Sequence, residues 1–246
     1  MKSTSETGHV KNVANFEDLI SFCSGYGDRY NPSKSDITIS ALSHLFDEAQ
    51  NKIAKVTTAK NDFDYFTGVR QTKFFPLKPL ATRIINALDA SGALDTVIKD
   101  GKTINRKLQG SRASAAKPKA NLENPEEKIP KTISTSQQSF DRLIDSFNQL
   151  IDLVKAESNY NPNENELKVD NLILLHSELK QANSAVIEKY TIYSNSRIDR
   201  NETLYNAVNS LTKTALDVKK YVKSVFGASS PQYKQISSLK FIKLNL

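Results

Sequence analysis

Apolar residues recur at intervals of three and four along most of the chain, the spacing of one helix face and not the two-residue alternation of a strand. Phe140, Leu143, Ile144, Phe147, Leu150, Ile151 and Val154 form such a stripe with Asp141, Asp145 and Asp152 off it, which predicts an amphipathic helix. The asparagine-rich stretch 158–166 interrupts it, because Pro162 disfavours helix at Asn161 and asparagine side chains compete with the backbone. A longer helix is expected through Leu172, Leu175, Leu179, Ala182, Val186, Tyr190 and Tyr193. A third runs through Leu204, Val208, Leu211, Ala215, Val218 and Val222, with Gly227 and Pro231 as its stop.

The first half follows the same plan. Phe16, Leu19, Ile20 and Cys23 begin a short helix that Gly25 and Gly27 end. Asp36 is a candidate N-cap for a helix through Leu42, Leu45, Ala49, Ile53, Val56, Phe63 and Phe66, roughly 45 Å long at about 1.5 Å per residue. A break is expected near Gly68, after which Pro76 and Pro79 suit the start of a helix carrying Leu80, Ile84, Ile85 and Leu88 and ending at Gly92.

The two halves align at an offset of about 130 residues, a kind of self-similarity that defines architecture before any motif does. With Tyr30-Asn31-Pro32 over Tyr160-Asn161-Pro162, Ile37 meets Leu167, Leu42 meets Leu172, Val56 meets Val186, Arg70 meets Arg200 and Phe75 meets Tyr205; a one-residue slip then sets Leu80 on Leu211. Upstream, the cluster Phe16, Leu19, Ile20 and the cluster Phe140, Leu143, Ile144 open the halves. The reading is all-α: an elongated helical bundle of two related three-helix units with pseudo-twofold symmetry. Residues 15–98 and 135–246 are the repeats, 1–14 a disordered N-terminus and 99–134 a basic flexible linker, the two repeats either packing as one domain or standing as separate modules.

Charge adds one feature. The net charge is +7 over 246 residues, and by segment it is 0 for residues 1–98, +6 for 99–119 and +1 for 120–246. The excess sits where Gly, Ser, Ala and Pro give little helical periodicity, so Lys99, Lys102, Arg106, Lys107, Arg112, Lys117 and Lys119 are candidate phosphate contacts. Lys219, Lys220 and Lys223, in a lysine-rich end, form a second candidate patch. No RNP aromatic motif or zinc-finger spacing accompanies them.

Chemistry has little to stand on. The three histidines, His9, His44 and His176, do not correspond under the repeat, and the residues three before His44 and His176 are Ala41 and Ile173, not the glutamates of a di-iron bundle. No phosphate-binding loop, nucleophile elbow or H-E-x-x-H pair occurs. Cys23, the sole cysteine, falls in phase with Phe16 and Leu19 and reads as a buried thiol. No catalytic, cofactor-binding or metal residue is therefore assigned, and no small-molecule substrate is expected. Arg70 and Arg200 keep the repeat phase beside interhelix turns and are expected to cap carbonyls or bridge carboxylates, with ligand binding the alternative. Tyr190, Tyr193, Tyr205 and Tyr221 lie on or beside apolar faces, and their hydroxyls require partners, as core-edge packing or a covered protein surface provides.

At the duplicated YNP turn, at Arg70 and Arg200, and along the run Lys223–Phe241, the chain resembles an uncharacterised family of bacterial proteins made of tandem helical repeats. The resemblance implies the repeat and brings no activity, substrate or cofactor. The expectation is a non-catalytic helical scaffold or protein-interaction protein of the cytoplasm, with a protein partner or self-association and no membrane span. The alternative is a nucleic-acid- or ribosome-associated protein that binds through the basic linker and the lysine-rich C-terminal region.

Overall fold

A computed structural model describes residues 7–110 and 138–243. Every regular element among them is helical. In chain order these are α1 (Thr7–Gly25), α2 (Ile39–Phe74), α3 (Leu77–Ala90), α4 (Asp95–Gln109), α5 (Phe140–Ala156), α6 (Val169–Asn201), α7 (Leu211–Phe226) and α8 (Pro231–Ser237). Short 3-10 turns at Ser35–Ile37 and Asn165–Leu167 precede α2 and α6, and a π-helical turn, Glu202–Asn206, follows α6. The chain divides into two compact units, one of Met1–Asp64 with Lys189–Leu246 and the other of Tyr65–Glu188. Residues 15–98 and 135–246 are thus each shared between both units.

The first unit holds α1, residues 39–64 of α2, residues 189–201 of α6, α7 and α8. Its core is built on Phe16, Leu19, Cys23, Tyr30, Leu42, Ala49, Leu204, Tyr205, Leu211, Ala215, Val218 and Val222, all buried. The second unit holds residues 65–74 of α2, α3, α4, α5 and residues 169–188 of α6, around Leu77, Ile84, Leu88, Leu108, Phe147, Leu150, Leu172 and Leu179. Filling each core with large aliphatic and aromatic side chains removes enough apolar area for each to be worth roughly 1.5–3 kcal/mol.

Some patterns of burial recur in both units with the same spacing within an element. Val13, Phe16, Leu19 and Cys23 of α1 are buried at the same spacing as Ile144, Phe147, Leu150 and Val154 of α5. Tyr30 donates its hydroxyl to the Ile37 carbonyl at 2.6 Å, and Tyr160 donates to the Leu167 carbonyl at 2.9 Å. The buried sets Leu77, Ala81, Ile84, Leu88 in α3 and Leu211, Ala215, Val218, Val222 in α7 step identically.

Five boundaries differ from the sequence expectation, each for a physical reason. Residues 7–14 are not a disordered terminus: α1 starts at Thr7, with the polar His9 and Asn12 turned inward and buried. Residues 99–109 are not linker but the body of α4, whose inner face is Ile98, Gly101 and Leu108. Gly101 sits so close to α3 that a Cβ there would lie 2.9 Å from Ile85 Cδ1; a glycine in an inward position hides the helical period. The rest of the basic segment, including Arg112, Lys117 and Lys119, lies outside the described residues. Gly68 does not break α2: it is exposed, and a single exposed glycine costs a helix only about 1 kcal/mol. The α2 start is fixed by Thr38, whose Oγ1 accepts from the Ala41 amide at 3.4 Å, whereas Asp36 reaches Lys34 at 4.0 Å. Finally, the stripe from Leu204 to Val222 is not one helix. The Ala207 amide closes a bond on the Glu202 carbonyl at 3.0 Å, Val208 is exposed in the turn, and α7 begins at Leu211.

Candidate functional site

Arg70 lies in the last turns of α2, in the second unit. Its guanidinium rests 3.9 Å from the centre of the Phe140 ring and donates through Nη1 to Asn183 Oδ1 at 2.9 Å. Asn183 in turn donates to Asp141 Oδ1 at 2.7 Å. Partial desolvation pulls the Arg70 pKa below the ordinary guanidinium value, Asp141 opposing it, and its Nε is buried without a hydrogen-bond partner. Arg200 in the first unit is fully buried and donates through Nε and Nη2 to Asn201 Oδ1 at 3.0 and 2.7 Å. Each arginine thus donates to a side-chain amide oxygen, and through Asn183 Arg70 is linked to the Asp141 carboxylate.

The four tyrosines have separate duties. Tyr193 stacks on Phe63 at 6.1 Å between centroids, while Tyr190, more than half exposed, tilts against the same ring at 5.5 Å. Tyr205 is buried in a polar knot: Asn12 Nδ2 donates to its hydroxyl at 3.1 Å, and the same hydroxyl is hydrogen-bonded with His9 Nδ1 at 2.8 Å. Asn12 also donates to the Ile242 carbonyl at 2.8 Å and accepts from the Ile242 amide at 3.1 Å. That knot docks the C-terminal segment on α1. The sequence hides it, because a polar letter at position 9 or 12 reads as solvent-facing. Tyr221 is half-buried against Tyr30, edge-on at 5.3 Å.

The basic residues fall into two classes. On α4, Lys99, Lys102, Arg106 and Lys107 are exposed, and the first three line a shallow groove with Thr103 and Asn105. Lys102 also pairs with Asp89 at 2.8 Å. The second patch lies in the first unit, and two of its three lysines pack on the C-terminal segment. Lys219 donates to the carbonyls of Ser237 and Leu239 and lies 5.4 Å from the Phe241 ring, and desolvation lowers its pKa. Lys220 pairs with Asp217 at 3.3 Å, and Lys223 lies 5.7 Å from the Tyr233 ring. Lys219 and Lys223 thus contact the C-terminal segment, whereas Lys220 stays on the surface of α7.

A cleft of about 580 Å³ opens in the second unit between the end of α3 and the loop leading to α6. Its walls are Arg83, Asn86, Ala87 and Ala90 on one side, and Asn159, Tyr160, Asn161 and Glu164 on the other. Burial pushes the Tyr160 phenol up to about 12, Glu164 adding to the rise. Arg83 pairs with Glu166 along the rim. Sequence reasoning singled out the Tyr-Asn-Pro turn but not the cleft, whose signal is the small pair Ala87 and Ala90 on the α3 face that meets the turn.

No helix among the described residues is long and apolar enough to cross a membrane. Compared with family models, curated proteins and solved structures, the chain matches none.

Proposed function

We propose that the chain is a non-catalytic helical interaction protein of the cytoplasm, built from a duplicated three-helix unit and acting by docking other polypeptides on its helix faces. Membership of the bacterial tandem-helical-repeat family it resembles is part of the same proposal. One observation carries the reading: α6 is apolar on more sides than its own packing uses. Leu172, Leu179 and Val186 are buried, yet Ile173, Leu174 and Ile187 are exposed in the second unit's share of the helix, and Tyr190, Ile192 and Ile198 in the first unit's share. Scattered exposed apolar residues are ordinary on a protein surface, but several gathered along one helix beside its buried stripe make a surface suited to a partner. Lysine-directed crosslinking of the full-length chain at native concentration should yield links to a second polypeptide, another protein or another copy. Links confined to one chain would overturn the reading.

A second reading rests on α4. Lys99, Lys102 and Arg106 share one open groove, and the adjoining segment adds Arg112, Lys117 and Lys119 in sequence. Nucleic-acid binding through this stretch would weaken steeply as salt rises, since each neutralised phosphate releases counterions. Affinity that is flat in salt, or unchanged in Lys99→Glu with Arg106→Glu, would sink it.

A further inference from the structure

We infer that the cleft beside Tyr160 receives the side chain of a tyrosine from a partner polypeptide. This deepens, and rests on, the reading of the chain as an interaction protein. The first unit supplies the occupant's chemistry, because there the matching place is filled by the chain itself. Tyr221 of α7 sets its ring edge-on to Tyr30 at 5.3 Å, and its hydroxyl accepts from the Asn31 amide at 3.1 Å. Lys34, three residues further along the turn, pairs with Asp217, one helical turn before Tyr221, at 2.9 Å.

Matching the two Tyr-Asn-Pro turns, and the buried spacings of α3 and α7, carries each of these positions into the second unit. Tyr30, Asn31 and Lys34 become Tyr160, Asn161 and Glu164. With Ile84 set on Val218 and Leu88 on Val222, Asp217 becomes Arg83 and Tyr221 becomes Ala87. The turn tyrosine and its hydrogen bond to the carbonyl seven residues on are kept; an ion pair again ties helix to loop, but Arg83 takes Glu166, two residues beyond Glu164, so the Lys34–Asp217 pairing itself is not reproduced. What is missing is the aromatic ring. Alanine stands where the tyrosine would project, Ala90 lies one turn beyond, and the open volume is there.

The cleft therefore offers a phenol what Tyr221 enjoys: an aromatic edge, a small aliphatic wall and a backbone amide at the place of Asn31's. Its open mouth suits a side chain presented by a larger surface better than a free small molecule, which enclosing sites bury almost whole. Asn86 and Asn159 on the rim can meet the peptide groups on either side of the inserted residue, and tyrosine is among the residues that anchor interfaces.

The test is an amide-resolved NMR titration of the full-length chain with N-acetyl-tyrosinamide, beside N-acetyl-phenylalaninamide as the probe lacking the hydroxyl. Saturable shifts at Ala87, Ala90 and Asn161 are expected, with the tyrosine probe binding about fivefold tighter, as one net hydrogen bond gives. Ala87→Tyr, which supplies the ring within the chain, should abolish binding, and Ala90→Leu, at an exposed position, should weaken it in a fold left unchanged. No shift at these amides up to probe saturation, equal affinity for both probes, or undiminished binding in both variants would overturn the assignment. A crosslinked partner without probe binding overturns the cleft and leaves the interaction reading standing. Probe binding without a crosslinked partner upholds the cleft as a phenol site and overturns the broader reading.

Discussion

Cys23 shows how a single side chain is silenced by its surroundings. Burial pushes its thiol up to about 12, the hydrogen bond with Tyr30 pulling weakly the other way, so the thiolate that would react is scarce at neutral pH. Alkylation by iodoacetamide should be slow in the native chain and fast in urea; equal rates would contradict the packing. Phe147 is fully buried in the second unit's core, and Phe147→Ala should cost about 3–5 kcal/mol, read as a lower urea midpoint. His176 lies 6.4 Å from the Phe147 ring. Its pKa is held below the ordinary histidine value by desolvation first and by Lys180 second, Asp145 and Asp152 opposing. The fold thus favours the neutral imidazole while the unfolded chain takes up the proton more readily. The stabilisation is complete above the ordinary histidine pKa and is lost as pH falls through and below it. The urea midpoint should drop between pH 7.5 and 5.5, and His176→Gln should flatten that slope.

At the scale of elements, α4 depends on close approach. Gly101→Val would press a branched side chain into Ile85 and Leu88, and overpacking of this kind costs about 1–3 kcal/mol, measurable as a fall in midpoint. Gly110, at φ 74°, closes α4 in the left-handed conformation that glycine adopts freely. Elsewhere the helical period was legible wherever the inward positions are large and apolar: the stripes of α5, α7 and the early part of α6 stand in the sequence as they stand in the fold. It failed where an inward position is polar or small. His9 and Asn12 read as a terminus, although they face Tyr205, and Gly101 read as a linker residue, although it faces α3. The amide partner of Arg70 was not legible, because Asn183 comes from another helix and no local spacing encodes it.

At the scale of the whole chain, self-similarity pointed to Tyr30 and Tyr160, and the structure adds the difference between their surroundings: a tyrosine packed on the first, an open cleft beside the second. Likewise α6 supplies each unit with buried leucines or tyrosine on one side and exposed isoleucines on another. The proposed interaction rests on these exposed apolar positions. The most direct measurement is photo-crosslinking in living cells from a benzophenone amino acid placed singly at Ile187 and Ile198, with the exposed polar position Lys55 as reference. The account predicts discrete adducts containing a second polypeptide from the isoleucine positions and none from Lys55. Uncrosslinked chain alone at Ile187 and Ile198, or an adduct pattern indistinguishable from that of Lys55, would contradict it.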